Sequence, residues 1–222
     1  MPRQYTSPLR VAQARRTRLD IIETALRLFL ENGYSQTSIR QIAREAGIAE
    51  RTVYVAFTDK PTLLKAIADY AFFGGTQEGE GEADFVRDLT AISDPGERLR
   101  FVIHQTAVGW EQGLAAVGRM VTAAATGDKR LEGFVAEMVD RRHRDTWSYT
   151  EAVLGRPLPH DARHEQMVDE LEAITSEEVY WILSMERQWT RENYEKFVFD
   201  SVIATMNRHG EELTDETDTT TP

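Results

Sequence analysis

The chain of 222 residues is 41% hydrophobic and 28% charged, as in soluble globular proteins that combine one small domain with one medium helical domain. It contains no cysteine and no apolar run near the roughly 20 residues of a membrane span, which excludes disulfide bonds, thiolate chemistry and a membrane partner and fits a cytoplasmic protein. The net charge of −11 argues at first against a nucleic-acid partner, and the polar, basic amino terminus differs from a secretory signal.

The charge is distributed unevenly along the chain. Residues 1–65 hold 11 Lys and Arg against 6 Asp and Glu, a net charge of +5, whereas residues 66–222 hold 15 against 31, a net charge of −16. A basic first third on an acidic remainder is typical of a small DNA-binding module joined to a domain that does not bind DNA. Chance clustering of arginines would give the same distribution, so the charge alone does not distinguish a DNA-binding module from chance and the sequence motifs are needed.

The first third of the chain predicts an arm and four helices. Residues 1–17 are polar and contain four arginines, which predicts a flexible basic arm. Apolar residues at spacings of three and four predict a helix from Arg18 to Asn32, which Gly33 ends. Three more short helices are predicted, one capped by Thr37 or Ser38, one from Glu50 to Phe57, and one opened by Thr58-Asp59.

The remaining sequence also has helical periodicity, and no β-type alternation is sustained anywhere. A Gly- and Glu-rich break at residues 74–82 predicts a loop or linker. The predicted fold class is all-α, with a three-helix helix-turn-helix domain at 18–72, a larger helical domain at 73–210 and a disordered acidic tail at 211–222. Later helices are predicted from Asp94-Pro95, over 112–125, up to Leu154, over 163–189 with a break near Thr175-Ser176, and over 191–206.

Residues 37–60 (TSIRQIAREAGIAERTVYVAFTDK) have the pattern of two short helices that meet at a steep angle. Ala43 is small where the helices cross, and Gly47 tolerates a positive φ in the turn. A second helix of this kind fits the major groove of DNA, with its first residues nearest the base edges. The predicted DNA contacts are Ser38 and Arg40 to phosphates, Glu50, Arg51, Thr52 and Val55 on the outward face, and Tyr54 and Lys60 to phosphates.

Two alternatives remain open at this point. Glu50 has the chemistry to accept a hydrogen bond from cytosine, but it is also a first-turn acid that stabilises its own helix. The whole motif also fits a helical hairpin inside an ordinary all-α core.

Residues from about Leu19 to Tyr70 resemble the DNA-binding domain of the TetR family of bacterial regulators. The matching residues are Ile22-x-x-Ala25-x-x-Leu28-Phe29, Asn32-Gly33-Tyr34, Thr37-Ser38-Ile39-x-x-Ile42-Ala43-x-x-Ala46-Gly47-Ile48, Thr52-Val53-Tyr54-x-x-Phe57 and Lys60-x-x-Leu63-Leu64. Two positions depart from the family pattern. Ala49 stands where a capping Ser is usual, and Ala56 stands where His or another polar residue is common.

The resemblance implies an all-α homodimer that binds palindromic double-stranded operator DNA, with an effector pocket and a dimer interface in the second domain. The interface would be made by the last two long helices. The residues predicted to form it are Val179, Ile182, Leu183 and Glu186 on one face and Phe197, Val198, Ser201, Val202 and Thr205 on another. The alternative is that these faces pack only within one subunit.

The effector pocket is predicted from polar or aromatic residues on otherwise apolar helix faces. These residues are His104, Gln105, Trp110, Met120, Trp147 and Tyr180. For each of them, packing in the core with one hydrogen bond is the competing interpretation. His160 and His164, with Asp161, have a spacing that suits a metal but lack a further ligand, so we expect neither a metal nor a cofactor.

The sequence thus predicts a repressor that an unknown small-molecule effector releases from DNA. No nucleophile–base pair, Walker motif or dinucleotide-binding fingerprint is present in the sequence, so we expect no enzyme activity. Two alternatives are an activator of the same fold, and an all-α ligand-binding protein or enzyme without a role on DNA.

Overall fold

The computed structural model describes residues 8–73, 80–126 and 128–213, and every regular element in these ranges is a helix. The chain divides into two compact units, Met1–Thr76 with Ala116–Phe134, and Gln77–Ala115 with Val135–Pro222. The helices are α1 (Pro8–Asn32), α2 (Ile39–Glu45), α3 (Glu50–Ala56), α4 (Lys60–Phe73), α5 (Glu80–Thr90), α6 (Pro95–Glu111), α7 (Leu114–Ala125), α8 (Lys129–Leu154), α9 (Ala162–Ile174), α10 (Glu177–Tyr180) and α11 (Arg191–Arg208).

The core of the first unit is built by α1, α2, α3 and α4. Their apolar faces bury side chains at three- and four-residue spacings, as the periodicity predicts. Gly33 has a φ of +85°, and its N–H donates to the Phe29 carbonyl at 2.9 Å, which ends α1 at the predicted position. Fully buried members of this core are Ile21, Ala25, Ile42, Val53, Phe57, Leu63, Leu64 and Ile67.

Three segment predictions need correction. The predicted flexible arm is helical from Pro8 onward, because α1 continues outward past its last buried turn, and residues 1–7 lie outside the described part of the chain. Residues 80–82 of the predicted linker are helical, since α5 begins at Glu80, and residues 74–79 lie outside the described part. Glu211, the first residue of the predicted tail, is only 3% exposed, and residues 214–222 lie outside the described part.

The second unit packs α6, α9, α10 and α11 around one apolar cluster, together with the carboxyl-terminal part of α8. Asp94 caps α6 through a 2.7 Å hydrogen bond from the Glu97 N–H, and Pro95 occupies the first turn, both as predicted. The buried cluster includes Leu99, Ile103, Trp147, Met167, Val168, Leu171, Tyr180, Tyr194, Val198 and Val202.

The predicted break near Thr175-Ser176 is present, but the helix after it is not a regular α-helix. After α10 the backbone forms a π-helical segment, Trp181–Glu186, which the sequence did not predict. The chain then turns at Gln188, whose φ of +57° lies in the left-handed region, before α11 begins. Single π-helical turns are rare and cluster at functional sites.

A buried acid in the segment that follows α11 contacts α9. Glu211 accepts a 3.0 Å hydrogen bond from Nε2 of the buried His164, and it is paired with Arg156 and Arg163. The other His164 ring nitrogen lies 2.8 Å from Asp161. His164 is therefore part of an internal salt-bridge network.

Over the described ranges, no helix combines the length and the low polarity that crossing a bilayer requires.

Candidate nucleic-acid interface

The junction of α2 and α3 is fixed by local hydrogen bonds. The Ser38 hydroxyl caps α2 by accepting from the Gln41 N–H at 3.2 Å, which confirms the alternative of Ser38 over Thr37 as the cap. The Ile48 N–H donates to the Ala43 carbonyl at 3.0 Å, and Gly47 adopts a φ of +67°. The small, buried Ala43 and the left-handed Gly47 thus form the turn that the spacing predicts.

Helix α3 packs on the core of the first unit through one face, and its other faces are accessible to solvent. Val53 and Phe57 are fully buried, whereas Tyr54 is 50% exposed and Val55 79% exposed. Side chains that project from one short, rigid helix in this way have the geometry of a major-groove reader. The predicted contact residues on α3 are all exposed or half-buried, namely Glu50, Arg51, Thr52, Tyr54 and Val55.

A salt bridge links the two helices on the side where they would face DNA. Arg40 Nε lies 3.7 Å from Glu50 Oε1, and both side chains are exposed. An exposed pair of this kind contributes little to stability. Its effect is electrostatic, because it places a carboxylate beside the arginine that was predicted to hold a phosphate.

Lys60 has internal partners that the sequence did not reveal. Its Nζ donates to the Thr37 carbonyl at 2.8 Å and lies 4.2 Å from the centroid of the Tyr34 ring. Partial burial lowers the pKa of the Lys60 ammonium. Lys60 therefore braces the loop that leads into α2, and an ammonium with three N–H donors retains capacity for a phosphate.

Arg18 is a residue that the sequence analysis missed. Its Nη1 donates to the Ala56 carbonyl at 2.8 Å, and its guanidinium lies 4.1 Å from the centroid of the Phe57 ring. A cation at the carboxyl end of a helix satisfies free carbonyls and is favoured by the helix dipole. Since the two residues are 38 positions apart, local sequence carries no signal for this contact.

In the second unit, two of the predicted effector residues come together. Tyr180 packs against Trp110, with ring centroids 6.5 Å apart, and against the buried Tyr194, with centroids 5.2 Å apart. Burial, followed by the charge of Glu111, raises the pKa of Tyr180. We call Trp110, Tyr180 and Tyr194 the aromatic cluster.

Two buried polar atoms of this unit, Trp110 Nε1 and Ser184 Oγ, form no hydrogen bond with any described group. The Tyr194 hydroxyl lies near the Trp110 indole, which lowers the pKa of this tyrosine, but the contact does not reach hydrogen-bond geometry. Burial is the larger effect and leaves the pKa of Tyr194 raised. Buried donors without partners are uncommon in native proteins.

The other predicted effector residues do not join the aromatic cluster. His104 is exposed and bonded to Glu195 at 2.9 Å, and Gln105 is exposed as well. Met120 belongs to the first unit. Trp147 donates to Glu151 at 3.2 Å and stacks on the His160 ring at 4.4 Å, so its packing interpretation is the one that the structure supports. The helical period predicts which residues share one face of a helix, but it does not predict which residues of different helices contact each other.

The predicted dimer residues divide into buried and accessible sets. Val198, Val202 and Thr205 are each less than 5% exposed within one subunit, so little of their surface is left for a second copy of the chain. Val198 and Val202 pack in the apolar cluster of their own unit. Val179, Leu183 and Ser201 are half-buried and Glu186 is exposed.

An apolar surface remains on the outside of the same elements. Ile182 is 47% exposed and Phe197 38% exposed, and both were predicted. Met185, 53% exposed, and Trp189, 39% exposed, were missed because the π-helical segment changes the spacing there. The Trp189 and Phe197 rings meet edge to face with centroids 5.9 Å apart. We call Ile182, Met185, Trp189 and Phe197 the apolar patch.

Residues within the first unit match a known protein family. Residues 21–67 match the family described as bacterial regulatory proteins, tetR family. This chain carries a TetR-family helix-turn-helix domain. The match confirms the resemblance found in residues 19–70, and it covers α2 and α3 completely, including the two unusual alanines, Ala49 and Ala56.

Relatives of the TetR-family domain extend this assignment. The HTH-type transcriptional regulator AcrR of Shigella flexneri is 38% identical over 81 residues, which are 36% of this chain and 38% of AcrR. The chain spans well under half the length of three curated relatives that it matches.

Solved structures extend the likeness to the whole fold. A protein of Mesorhizobium loti assigned to the TetR-family regulators superposes with a TM-score of 0.67 at 23% identity, over 88% of this chain and 97% of that one. The regulator FadR of Bacillus subtilis, in complex with stearoyl-CoA, superposes with a TM-score of 0.61 at 20% identity, over 84% of this chain and 98% of that one. These likenesses confirm the all-α fold with an amino-terminal helix-turn-helix.

Proposed function

We propose that this protein is a cytoplasmic transcriptional regulator that binds operator DNA as a homodimer and is released by a small-molecule effector. The observation that carries the proposal is the geometry of α3. Buried Val53 and Phe57 hold the helix rigidly while Arg51, Thr52 and Tyr54 project from it. Arg51 has the bidentate donors that recognise guanine, and the hydroxyl of the exposed Tyr54 would donate to a phosphate of the DNA backbone.

The homodimer is supported by the apolar patch. Large apolar side chains that lie together at the surface commonly mark an interaction site, and the Trp189 and Phe197 rings of the patch are in contact. A second copy of the chain related by a two-fold axis would cover the patch with the same patch, as a C2 dimer requires. Two recognition helices about 34–36 Å apart would then enter successive major grooves of a palindromic site.

The effector is supported by the unpaired donors of the second unit. A ligand with hydrogen-bond acceptors would satisfy Trp110 Nε1 and Ser184 Oγ, and an apolar body would suit the aromatic cluster. FadR, which has the same fold, holds stearoyl-CoA. Release from DNA requires that the effector bind the DNA-free form of the dimer more tightly than the DNA-bound form.

The test is binding of the full-length protein to the DNA upstream of its own coding region and to random-sequence DNA, titrated with salt. We expect selective binding whose affinity falls steeply as salt rises, because phosphate contacts release counterions. Equal, salt-insensitive and negligible binding to both DNAs would contradict the proposal and favour a helical ligand-binding protein. Transcription from the same DNA, with and without protein, then distinguishes repression from activation.

Effector release is tested separately with stearoyl-CoA as the first probe. We expect a ligand that raises the unfolding temperature of the protein also to lower its affinity for operator DNA. A ligand that binds and leaves the operator affinity unchanged would contradict release.

A further inference from the structure

The first turns of α1 extend beyond the body of the first unit. Along α1 the first buried residue is Ile21, and none of residues 11–20 is buried. At 1.5 Å per residue, the stretch from Pro8 to Arg18 is about 15 Å long. The packed turns of α1 supply the helical nucleus for this stretch, but none of residues 11–18 is buried in the protein's own core.

This extension is uniformly basic. Arg10, Arg15, Arg16 and Arg18 fall within it, and the first acid of the chain is Asp20. It lacks the broad apolar face that an interfacial membrane helix requires, because Leu9 and Val11 are the two large aliphatic residues from Pro8 to Arg18. Its charge is complementary to a polyanion.

The position of the extension is set by Arg18. Since Arg18 contacts the Ala56 carbonyl, α1 passes beside the carboxyl end of α3. Residues three apart share a helix face, so Arg15 lies one turn further out on the face that Arg18 turns toward α3. Arg16 points elsewhere and lies 3.8 Å from Asp20, whereas Arg15 is exposed and has no ionic partner among the described residues.

We propose that the amino-terminal extension of α1 is a second DNA-binding element, in which Arg15 contacts the sugar–phosphate backbone that flanks the site occupied by α3. This inference rests on the proposed function, because it needs α3 to lie on DNA. The contact is independent of sequence, so it adds affinity and salt dependence without adding base preference.

The test uses full-length Arg15→Gln and the matched control Arg27→Gln. Glutamine keeps the helix propensity of arginine, and both substitutions remove one positive charge from α1. Arg27 is paired with Glu31 at 3.2 Å, more than two turns beyond Arg18 on the side away from the extension. Circular dichroism verifies that both variants are folded.

The probes are a duplex carrying an operator selected from a random-sequence pool and a random duplex, each about three DNA turns long. Affinity is measured by fluorescence anisotropy between about 50 and 200 mM salt. For Arg15→Gln we expect the slope of log affinity against log salt to fall by about 0.9 for each subunit. The affinity for both duplexes should fall by the same factor, and Arg27→Gln should match the wild type.

Each outcome decides between the two proposals. If Arg15→Gln and Arg27→Gln have the same slope as the wild type, the extension does not touch DNA and the role of α3 is unaffected. If Arg15→Gln weakens the operator alone, Arg15 reads bases and the backbone assignment is overturned. If the wild-type protein binds neither duplex, the proposed function fails, and this inference fails with it.

Discussion

At the scale of single residues, Glu50 on α3 forms a salt bridge with Arg40 on α2, beside the residues that are predicted to contact DNA. The sequence left Glu50 open between a cytosine acceptor and a first-turn helix acid. In the structure the Glu50 carboxylate is paired with the Arg40 guanidinium. This pairing is evidence neither for a contact with cytosine nor for a role as first-turn helix acid. It restrains Arg40 and keeps negative charge where a phosphate would approach.

The substitution Glu50→Gln should therefore raise affinity for random DNA. Removing one unit of repulsion at about 4 Å in water is worth about 1 kcal/mol, or about fivefold in affinity. Anisotropy titrations with random duplex DNA measure this directly. Glu31→Gln is the matched control, since it also removes an acid paired with an arginine in the first unit, at the far end of α1. A decrease for Glu50→Gln would show that Glu50 itself contacts bases.

Glu211 shows how one buried acid ties the chain end to the second unit. Burial alone would raise its pKa, but hydrogen bonds from His164 and Arg156 outweigh burial and lower the pKa of the Glu211 carboxyl. A carboxyl whose pKa is lowered by folding stabilises the protein at pH values above its ordinary pKa. That contribution is lost as the pH falls through the folded-state value.

For Glu211→Gln we expect the free energy of unfolding at neutral pH to fall by about 2 kcal/mol, because charged hydrogen bonds are lost in a buried site. The difference from the wild type should shrink as the pH drops below 4.5, the ordinary pKa of a glutamate. Urea unfolding at several pH values measures both. The control is Glu212→Gln, at the exposed neighbouring acid. A difference that stays constant down to strongly acidic pH would contradict the linkage.

At the scale of elements, helices whose ends are fixed by local chemistry were predictable and those fixed by distant contacts were not. Gly33, Ser38 and Gly47 determine their helix ends through their own backbone or side chain, so the sequence located the helix-turn-helix closely. The start of α1 at Pro8 lacks an apolar period, and the π-helical segment follows no propensity rule. Both therefore escaped prediction.

The candidate site divides in the same way. Exposure of Arg51 and Tyr54 follows from the period of α3, once Val53 and Phe57 are assigned to the core. Periodicity also gave α11 one apolar face, but it could not say whether that face packs inside the subunit or against another one. Val198 and Val202 pack inside, and Phe197, one position away, is exposed.

Helix α3 begins without a side-chain cap, since Ala49 offers no hydrogen-bond acceptor. A serine at the N-cap position typically adds about 1 kcal/mol to a helix. In Ala49→Ser we expect the amide protons of Arg51 and Thr52, the two N–H groups that an N-cap hydroxyl can accept from, to exchange about fivefold more slowly. Ser38→Ala is the reciprocal control and should speed exchange at Gln41, whose N–H the Ser38 hydroxyl accepts. Unchanged exchange in Ala49→Ser would mean that the first turn of α3 does not fray.

At the scale of the whole molecule, affinity for a palindromic site depends on linking two recognition helices. The apolar patch is the proposed link, and it includes Ile182, which is 47% exposed. A glutamate there would place a charge in an interface core, where charged residues are depleted. Because Ile182 is accessible in the subunit, the same change should leave the monomer folded.

For Ile182→Glu we therefore expect a monomer by sedimentation and a loss of operator affinity of at least about 100-fold, since the second half-site is no longer bound intramolecularly. Val139→Glu is the matched control, because Val139 is 46% exposed on α8 and lies outside the patch. It should remain dimeric and bind DNA normally. If Ile182→Glu stays dimeric while Val139→Glu dissociates, the subunits meet through α8. If Ile182→Glu becomes monomeric but keeps full operator affinity, one recognition helix is sufficient and the palindromic model fails.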